Sequence, residues 1–196
     1  MNRTPLIDNY FLQLDALLYI VEESNKRVLS ENPDSLFLRN TNFFTKSYLV
    51  MMCTYVESYI KDILVFYADF LDSKLRTCCI PYNILKWSFQ TDSLLKEKER
   101  KESNAEIKIT KENIDKHISA NPYRTIELFI NFGIKLSDYS GFVEKQEKIA
   151  SIVTKRNQII HYNDDASDVS DGDLKDNIIY IKEYMAAIDK AVCDKF

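Results

Sequence analysis

The segment 156–161, which reads Arg-Asn-Gln-Ile-Ile-His, contains the residue types in this sequence best suited to chemistry on a charged group. An imidazole can accept or donate a proton near neutral pH, and such a proton transfer typically accelerates a reaction by on the order of 10²–10⁴-fold. A guanidinium held in place can stabilise the negative charge that develops on a phosphate. Arg156 and His161 are therefore the candidate catalytic pair.

The position of Arg156 in the hydrophobic pattern is unusual. The apolar stripe of the predicted helix consists of Ile149, Ile152, Val153 and Ile160. At about 100° per residue, Arg156 lies in the middle of this stripe and not beside it. A charged side chain is unfavourable there unless it has a partner or faces a polar cavity or an interface. The structural alternative is that Arg156 pairs with a core carboxylate, such as Glu57, which would then only neutralise it.

His161 follows Arg156 by about 140° around the helix and about 7.5 Å along it. Asn157 lies four residues before His161, so its amide can reach the imidazole and fix the orientation of the ring. The sequence Asn163-Asp164-Asp165 predicts that the helix ends there, which leaves His161 in the last turn near solvent. A histidine at a helix end is often only a cap, so the residues alone leave the structural interpretation open.

The composition limits the fold that must position these residues. The chain has 3 glycines and 4 prolines among 196 residues. Sandwiches, Rossmann folds and phosphate-binding loops need glycine for tight turns, so these folds are disfavoured. We expect an all-α helical bundle of four to five main helices, formed by residues 1–196 as a single domain with a variable segment at about 78–120.

The helices of this bundle are predicted from apolar spacing and from the residues that start and stop helices. The expected helices run from about Leu6 to Leu29, from about Thr41 to Leu71, from Asn121-Pro122 to near Gly133 and from about Phe142 to Tyr162, with a final amphipathic helix after the loop 163–172. The mixed-charge run 96–116 is interpreted as a solvated helix or loop in preference to an RNA-binding patch.

Charge and cysteine content restrict the partners and the compartment. The net charge of −4 gives no global attraction to nucleic acid, so any RNA contact must come from a local basic site. The four cysteines form no Cys-x-x-Cys pair, and neither a signal peptide nor a membrane span is evident, so a cytoplasmic protein is expected. The sequence lacks Gly-x-Ser-x-Gly and His-Glu-x-x-His, and no metal or cofactor is expected.

The pattern Arg-Asn-x-x-x-His, from Arg156 to His161, resembles the motif of the HEPN superfamily of ribonucleases and toxins. The segment 55–60, which contains Glu57, is similar to the acidic-residue helix of several HEPN subgroups. The resemblance implies a helical-bundle homodimer in which two motifs meet and cut RNA without a metal, often in toxin–antitoxin or antiphage systems. It assigns catalysis to Arg156 and His161, with Asn157 and Glu57 in support, and suggests an antitoxin or regulatory protein as a further partner.

Cleavage without a metal would use the 2′-hydroxyl of RNA as the nucleophile. The chain has two histidines, and His117 lies in the charged middle run, so a monomer is short of proton carriers at one site. A two-fold dimer would supply a second His161 and a second Arg156.

The loop 164–173 carries five aspartates, which would repel phosphate unless the loop folds away or acts as a lid. The alternative function is a catalytically silent helical module that binds a nucleotide, RNA or a protein partner.

Overall fold

The computed structural model describes residues 3–88 and 103–196, apart from the side chain of Trp87. In these ranges the protein has eight α-helices and no β-strand, which confirms the predicted all-α class. Four helices are long: α1 (Pro5–Val28), α3 (Thr41–Thr77), α7 (Ser140–Tyr162) and α8 (Asp171–Cys193). Four are short: α2 (Ser35–Arg39), α4 (Tyr82–Ser88), α5 (Lys111–Asp115) and α6 (Pro122–Ile130). No helix in the described ranges combines the length and hydrophobicity needed to cross a bilayer.

The predicted helices match the observed ones closely, and α3 differs most because it continues six residues further than expected. Helix α6 starts as expected, since the Asn121 side chain accepts a hydrogen bond from the Tyr123 backbone and Pro122 occupies the first turn. The short helix α2 was not predicted, although Asp34 caps it by accepting from the backbone of Leu36. In the charged run, residues 96–102 lie outside the described residues.

The described residues form two compact units. The first unit comprises the described residues of 1–63 and 117–196, and it contains α1, the first part of α3, α6, α7 and α8. Large side chains from these helices form its core. The most deeply buried of them include Ile7, Leu14, Met52, Tyr59, Ile60, Ile63, Phe129, Phe142, Ile178, Tyr184, Met185 and Ile188. All four residues proposed for the site lie in this unit.

The second unit comprises the described residues of 64–116 and contains the end of α3 together with α4 and α5. The Asp72 carboxylate organises it, because it accepts a hydrogen bond of 2.7 Å from the Ile107 backbone and an ion pair of 2.5 Å from Arg76. The backbone bond from Ile107 and the bond from Arg76 lower the pKa of Asp72. None of the proposed site residues belongs to this unit.

Close packing against α8 positions α7. A Cβ added at Gly141 would lie 3.5 Å from the Cβ of Ala187, so a small residue permits a close approach of the two helices here. One residue further along, the ring of Phe142 packs against that of Tyr184, with centroids 4.9 Å apart. Both rings are fully buried, so they fix the start of α7 in the core.

A buried carboxyl group joins the start of α1 to the end of α8. The Asp189 side chain, 2% exposed, accepts a 3.0 Å hydrogen bond from the Thr4 backbone, a second from the Thr4 hydroxyl and a 3.1 Å bond from the Tyr59 hydroxyl. The Cys193 thiol lies 3.7 Å from the same carboxyl group. Because the Thr4 hydroxyl is engaged by Asp189, it forms no side-chain cap on α1.

Candidate active site

An ion pair between α7 and α3 is the centre of the candidate site. The Arg156 guanidinium donates a short hydrogen bond to the Glu57 carboxylate, and 16% of the arginine side chain and 29% of the glutamate side chain are exposed. Arg156 therefore has a carboxylate partner, as its place in the apolar stripe requires. A small part of the side chain still reaches the surface.

The surroundings of this ion pair keep the guanidinium charged. Burial alone lowers the pKa of Arg156, but the Glu57 carboxylate and the neighbouring Cys53 thiol raise it, and the net direction is upward. Burial raises the pKa of the Cys53 thiol to about 11, and the nearby guanidinium only partly opposes this shift. At neutral pH the Cys53 side chain beside Arg156 is therefore an uncharged thiol. Of these two neighbours, only Glu57 balances the charge of Arg156.

The segment before α6 also contacts Glu57. The Ala120 backbone N–H lies 3.3 Å from the same carboxylate oxygen that binds Arg156. Glu57 is thus held from two sides, by a guanidinium and by a backbone donor. This contact was not predicted, because Glu57 and Ala120 lie 63 positions apart in the chain and give no spacing signal. Cys53 could have been found from the sequence, because it lies one helical turn before Glu57 on α3.

His161 occupies the last turn of α7, as predicted, and its side chain is exposed. Its ring makes an edge contact with Tyr162, with centroids 6.4 Å apart, and 83% of Tyr162 is exposed. Asn157 is half-buried, and within the described residues its amide makes no hydrogen bond with the imidazole. The predicted orienting hydrogen bond is therefore absent from this structure, and the exposed imidazole has a ring contact with Tyr162.

The predicted apolar stripe of α7 is wrong at one position. Ile149, Ile152 and Val153 are buried as expected, but Ile160 is 51% exposed and Ile159 is buried in its place. Ile160 lies only about 40° around the helix from Arg156, so it points toward the buried side. Ile160 is nevertheless half exposed, whereas Ile159 in the same turn is buried. An exposed isoleucine therefore lies between Arg156 and His161 in the sequence of α7, on the side that the apolar stripe defines.

The end of α7 is fixed by contacts to α3. Asn163 ends the helix in the left-handed conformation, with φ of +52°, which asparagine tolerates better than most residues. The Lys46 ammonium lies 3.2 Å from the Asn163 side-chain oxygen and 3.3 Å from its backbone oxygen. Three residues further on, the Ala166 N–H donates to the Asn42 side chain at 3.0 Å. These contacts hold the turn that follows His161.

Four of the five aspartate side chains in the loop have partners within the protein, those of Asp164, Asp165, Asp168 and Asp173. The Lys155 ammonium lies 2.9 Å from the Asp164 carboxylate, 2.6 Å from the Asp168 carboxylate and 2.5 Å from the Asp165 backbone oxygen. The Asp168 carboxylate, followed by that of Asp164, raises the pKa of Lys155, and Lys155 lowers the pKa of Asp164. Asp173 caps α8 together with Ser170. Sequence reasoning identified the loop but did not predict these partners.

In residues 3–88 and 103–196, no cluster of three or more histidine, cysteine, aspartate or glutamate side chains has a geometry that could hold a metal ion. The groups that the site does offer are one guanidinium, one imidazole, one carboxylate and one protonated thiol. These groups can bind a phosphate and transfer a proton.

The helical bundle has the architecture that the motif resemblance implied. A family model described as RiboL-PSP-HEPN matches residues 15–194, which is nearly the whole chain. The protein therefore belongs to this HEPN family. No curated protein and no solved structure matches the chain.

Proposed function

We propose that this protein is a metal-independent endoribonuclease that cuts RNA by attack of its own 2′-hydroxyl, with an active site composed of two copies of the chain. We further propose that it acts in the cytoplasm as a toxin or antiphage effector. Membership of a HEPN family supports the nuclease assignment, since such domains are often ribonucleases. Arg156 and His161 are the proposed catalytic residues, and Asn157 and Glu57 support them.

The observation that carries the proposal is the contrast between a fixed guanidinium and an accessible imidazole on the same two turns of α7. Glu57 holds the Arg156 side chain in one place, so its charge needs little rearrangement when a phosphate arrives. The His161 ring is exposed and makes no hydrogen bond to the described residues, so it is available to a substrate. Phosphodiester cleavage without a metal needs a positive charge that is held in place and a group that can transfer a proton.

In the proposed reaction, one His161 accepts the proton of the 2′-hydroxyl while the 2′-oxygen forms a bond to phosphorus. The bond between phosphorus and the 5′-oxygen breaks, and the second His161 donates a proton to this leaving oxygen. Arg156 stabilises the additional negative charge on the phosphorane, a contribution of about 3 kcal/mol for a well-placed donor. The products are a 2′,3′-cyclic phosphate and a 5′-hydroxyl end.

The proposal requires a second copy, because each chain has one suitably placed histidine. Ile160 supports a dimer at this surface, since it is half exposed although it lies on the buried side of α7. A second copy that covers Ile160 would bring a second His161 next to the first. The partly exposed edge of Arg156 would then face the same interface.

Removal of either catalytic group should slow cleavage strongly. We expect His161→Ala to lose about 10³-fold and Arg156→Gln about 10²-fold in the rate of cleavage of mixed cellular RNA in EDTA. His117→Ala and Arg124→Ala are matched controls, because both side chains are exposed and neither belongs to the site. They should retain the rate within about twofold. Equal rates in all five proteins, with folding verified by circular dichroism, would contradict the proposal.

Disruption of the proposed interface should both separate the subunits and slow cleavage. Ile160→Asp introduces a charge where the second copy would pack, and we expect a monomer by light scattering with at least about tenfold less cleavage. Ile179→Asp is the control, because Ile179 on α8 is similarly exposed, at 49%. A monomeric wild type with full activity would refute the composite site while leaving the reaction chemistry intact.

A catalytically silent binding module is the second candidate. It is favoured by the ion pair itself, because Glu57 already satisfies the guanidinium that a phosphate would need. In that case Arg156 and Glu57 would link α7 to α3 and the exposed end of α7 would bind a nucleotide, RNA or a protein. RNA binding by the wild type without cleavage would favour this function.

A further inference from the structure

A lysine of α7 pairs with two carboxylates of the acidic loop after His161 and keeps them on a defined side of the helix. From Lys155, the helix turns by about 100° to Arg156 and by about 140° more to His161. The three side chains therefore leave α7 in three directions, and Lys155 lies outside the arc between the two catalytic residues. The carboxylates that contact the Lys155 ammonium, those of Asp164 and Asp168, are kept near that third side.

Without this contact, the same carboxylates would lie within reach of the proposed RNA site. Asp164 follows His161 by three residues, and about 10 Å is the most that three extended residues can span. At physiological salt, charges at this separation still interact, because the screening length is about 8 Å. A released Asp164 would repel an approaching phosphate.

We propose that Lys155 is a positioning residue that holds the loop 163–169 away from the side of α7 carrying Arg156 and His161, and thereby permits RNA to bind. This inference rests on the proposed function, since it concerns RNA at the same site. Lys155 suits this role because its side chain is only 17% exposed and makes three contacts to the loop. Lys46 and Asn42 hold the loop at its beginning and middle, so the loss of Lys155 would release the carboxylates without detaching the whole loop.

The test measures binding of a fluorescent RNA with 2′-deoxy nucleotides throughout its cleavable positions, so that affinity is independent of cleavage. We expect Lys155→Met to weaken binding at least about fivefold, and Lys155→Arg to retain most of the affinity. Lys145→Met is the control for the lost charge, because Lys145 is a similarly buried lysine of α7 that pairs with Glu183 on α8. It should change the affinity less than about twofold.

A double-mutant cycle separates repulsion from a general structural effect. Asp164→Asn with Asp168→Asn should restore the affinity of Lys155→Met, and should raise the affinity less in the wild type, where the Lys155 ammonium already pairs with both carboxylates. Hydrogen exchange at 164–169 should accelerate about tenfold in Lys155→Met, with the rest of α7 unchanged.

Unaltered affinity in Lys155→Met, or a loss that the asparagines do not restore, would overturn the inference. Wild-type binding without cleavage would refute the nuclease function and leave this inference standing, whereas no binding at all would overturn both.

Discussion

Two acidic residues in the first unit illustrate different uses of a buried carboxyl group. Asp189 is 2% exposed, and its partners are the neutral donors of Thr4 and Tyr59. Glu57 is more exposed, at 29% of its side chain, and its partner is the charged guanidinium of Arg156. A buried thiol lies next to each carboxyl group: Cys193 next to Asp189, and Cys53 next to the ion pair of Glu57. Burial raises the pKa of both thiols to about 11.

The difference indicates which network serves stability and which serves the site. The Asp189 network is sealed from solvent and connects the two ends of the chain, so a ligand has no access to it. The Glu57 network reaches the surface, and α7 carries a half-exposed isoleucine and an exposed histidine four and five residues after Arg156. An accessible ion pair can exchange one partner for a phosphate, whereas a sealed carboxyl group that accepts from neutral donors cannot.

The largest effect on stability is expected at Asp189. Its replacement by alanine leaves the Thr4 and Tyr59 donors buried without an acceptor, which should cost about 3 kcal/mol of unfolding free energy. For a chain of this size the melting temperature should fall by about 10 °C. Cleavage per folded molecule should remain unchanged, because no part of this network reaches the site. A melting temperature within about 2 °C of the wild type would show that the network contributes little.

A smaller effect on stability, with an added effect on cleavage, is expected at Glu57. Glu57→Gln keeps the size of the side chain but leaves Arg156 without a charged partner, which should cost about 1.5 kcal/mol. We expect kcat to fall about tenfold, because Arg156 is no longer held in position. The KM for RNA should stay level or decrease, because phosphate no longer competes with a carboxylate for the guanidinium. Unchanged kcat in the folded fraction would mean that Glu57 only neutralises Arg156 and does not position it.

The position of Arg156 made its partner predictable. A guanidinium in the middle of an apolar stripe requires a counter-charge, and Glu57 on the longest apolar helix was a reasonable choice. The end of α7 was also predictable, because Asn163 tolerates the backbone conformation that stops a helix. The need for a counter-charge and the helix end both follow from the local sequence of α7, whereas the partner itself lies 99 positions away and was suggested by the family resemblance.

The features that were not predicted depend on residues far apart in the chain. Asp189 meets Thr4 across 185 positions, and no periodicity connects them. Ile160 was expected to be buried because the helical pattern defines a direction but not where the neighbouring helices end. The contact of Ala120 with Glu57 depends in the same way on how the segment before α6 packs. Tertiary packing decides such contacts, and a single sequence carries little information about it.

The most direct test of the central claim is the chemistry of the RNA ends. A short RNA with one scissile site should be incubated with the wild-type protein in EDTA, and its fragments analysed by mass spectrometry. We expect a 2′,3′-cyclic phosphate on one fragment, a 5′-hydroxyl on the other, and no cleavage when a single 2′-deoxy nucleotide occupies the scissile position. Cleavage of the deoxy substrate, or fragments that carry a 5′-phosphate, would contradict a reaction built on Arg156 and His161.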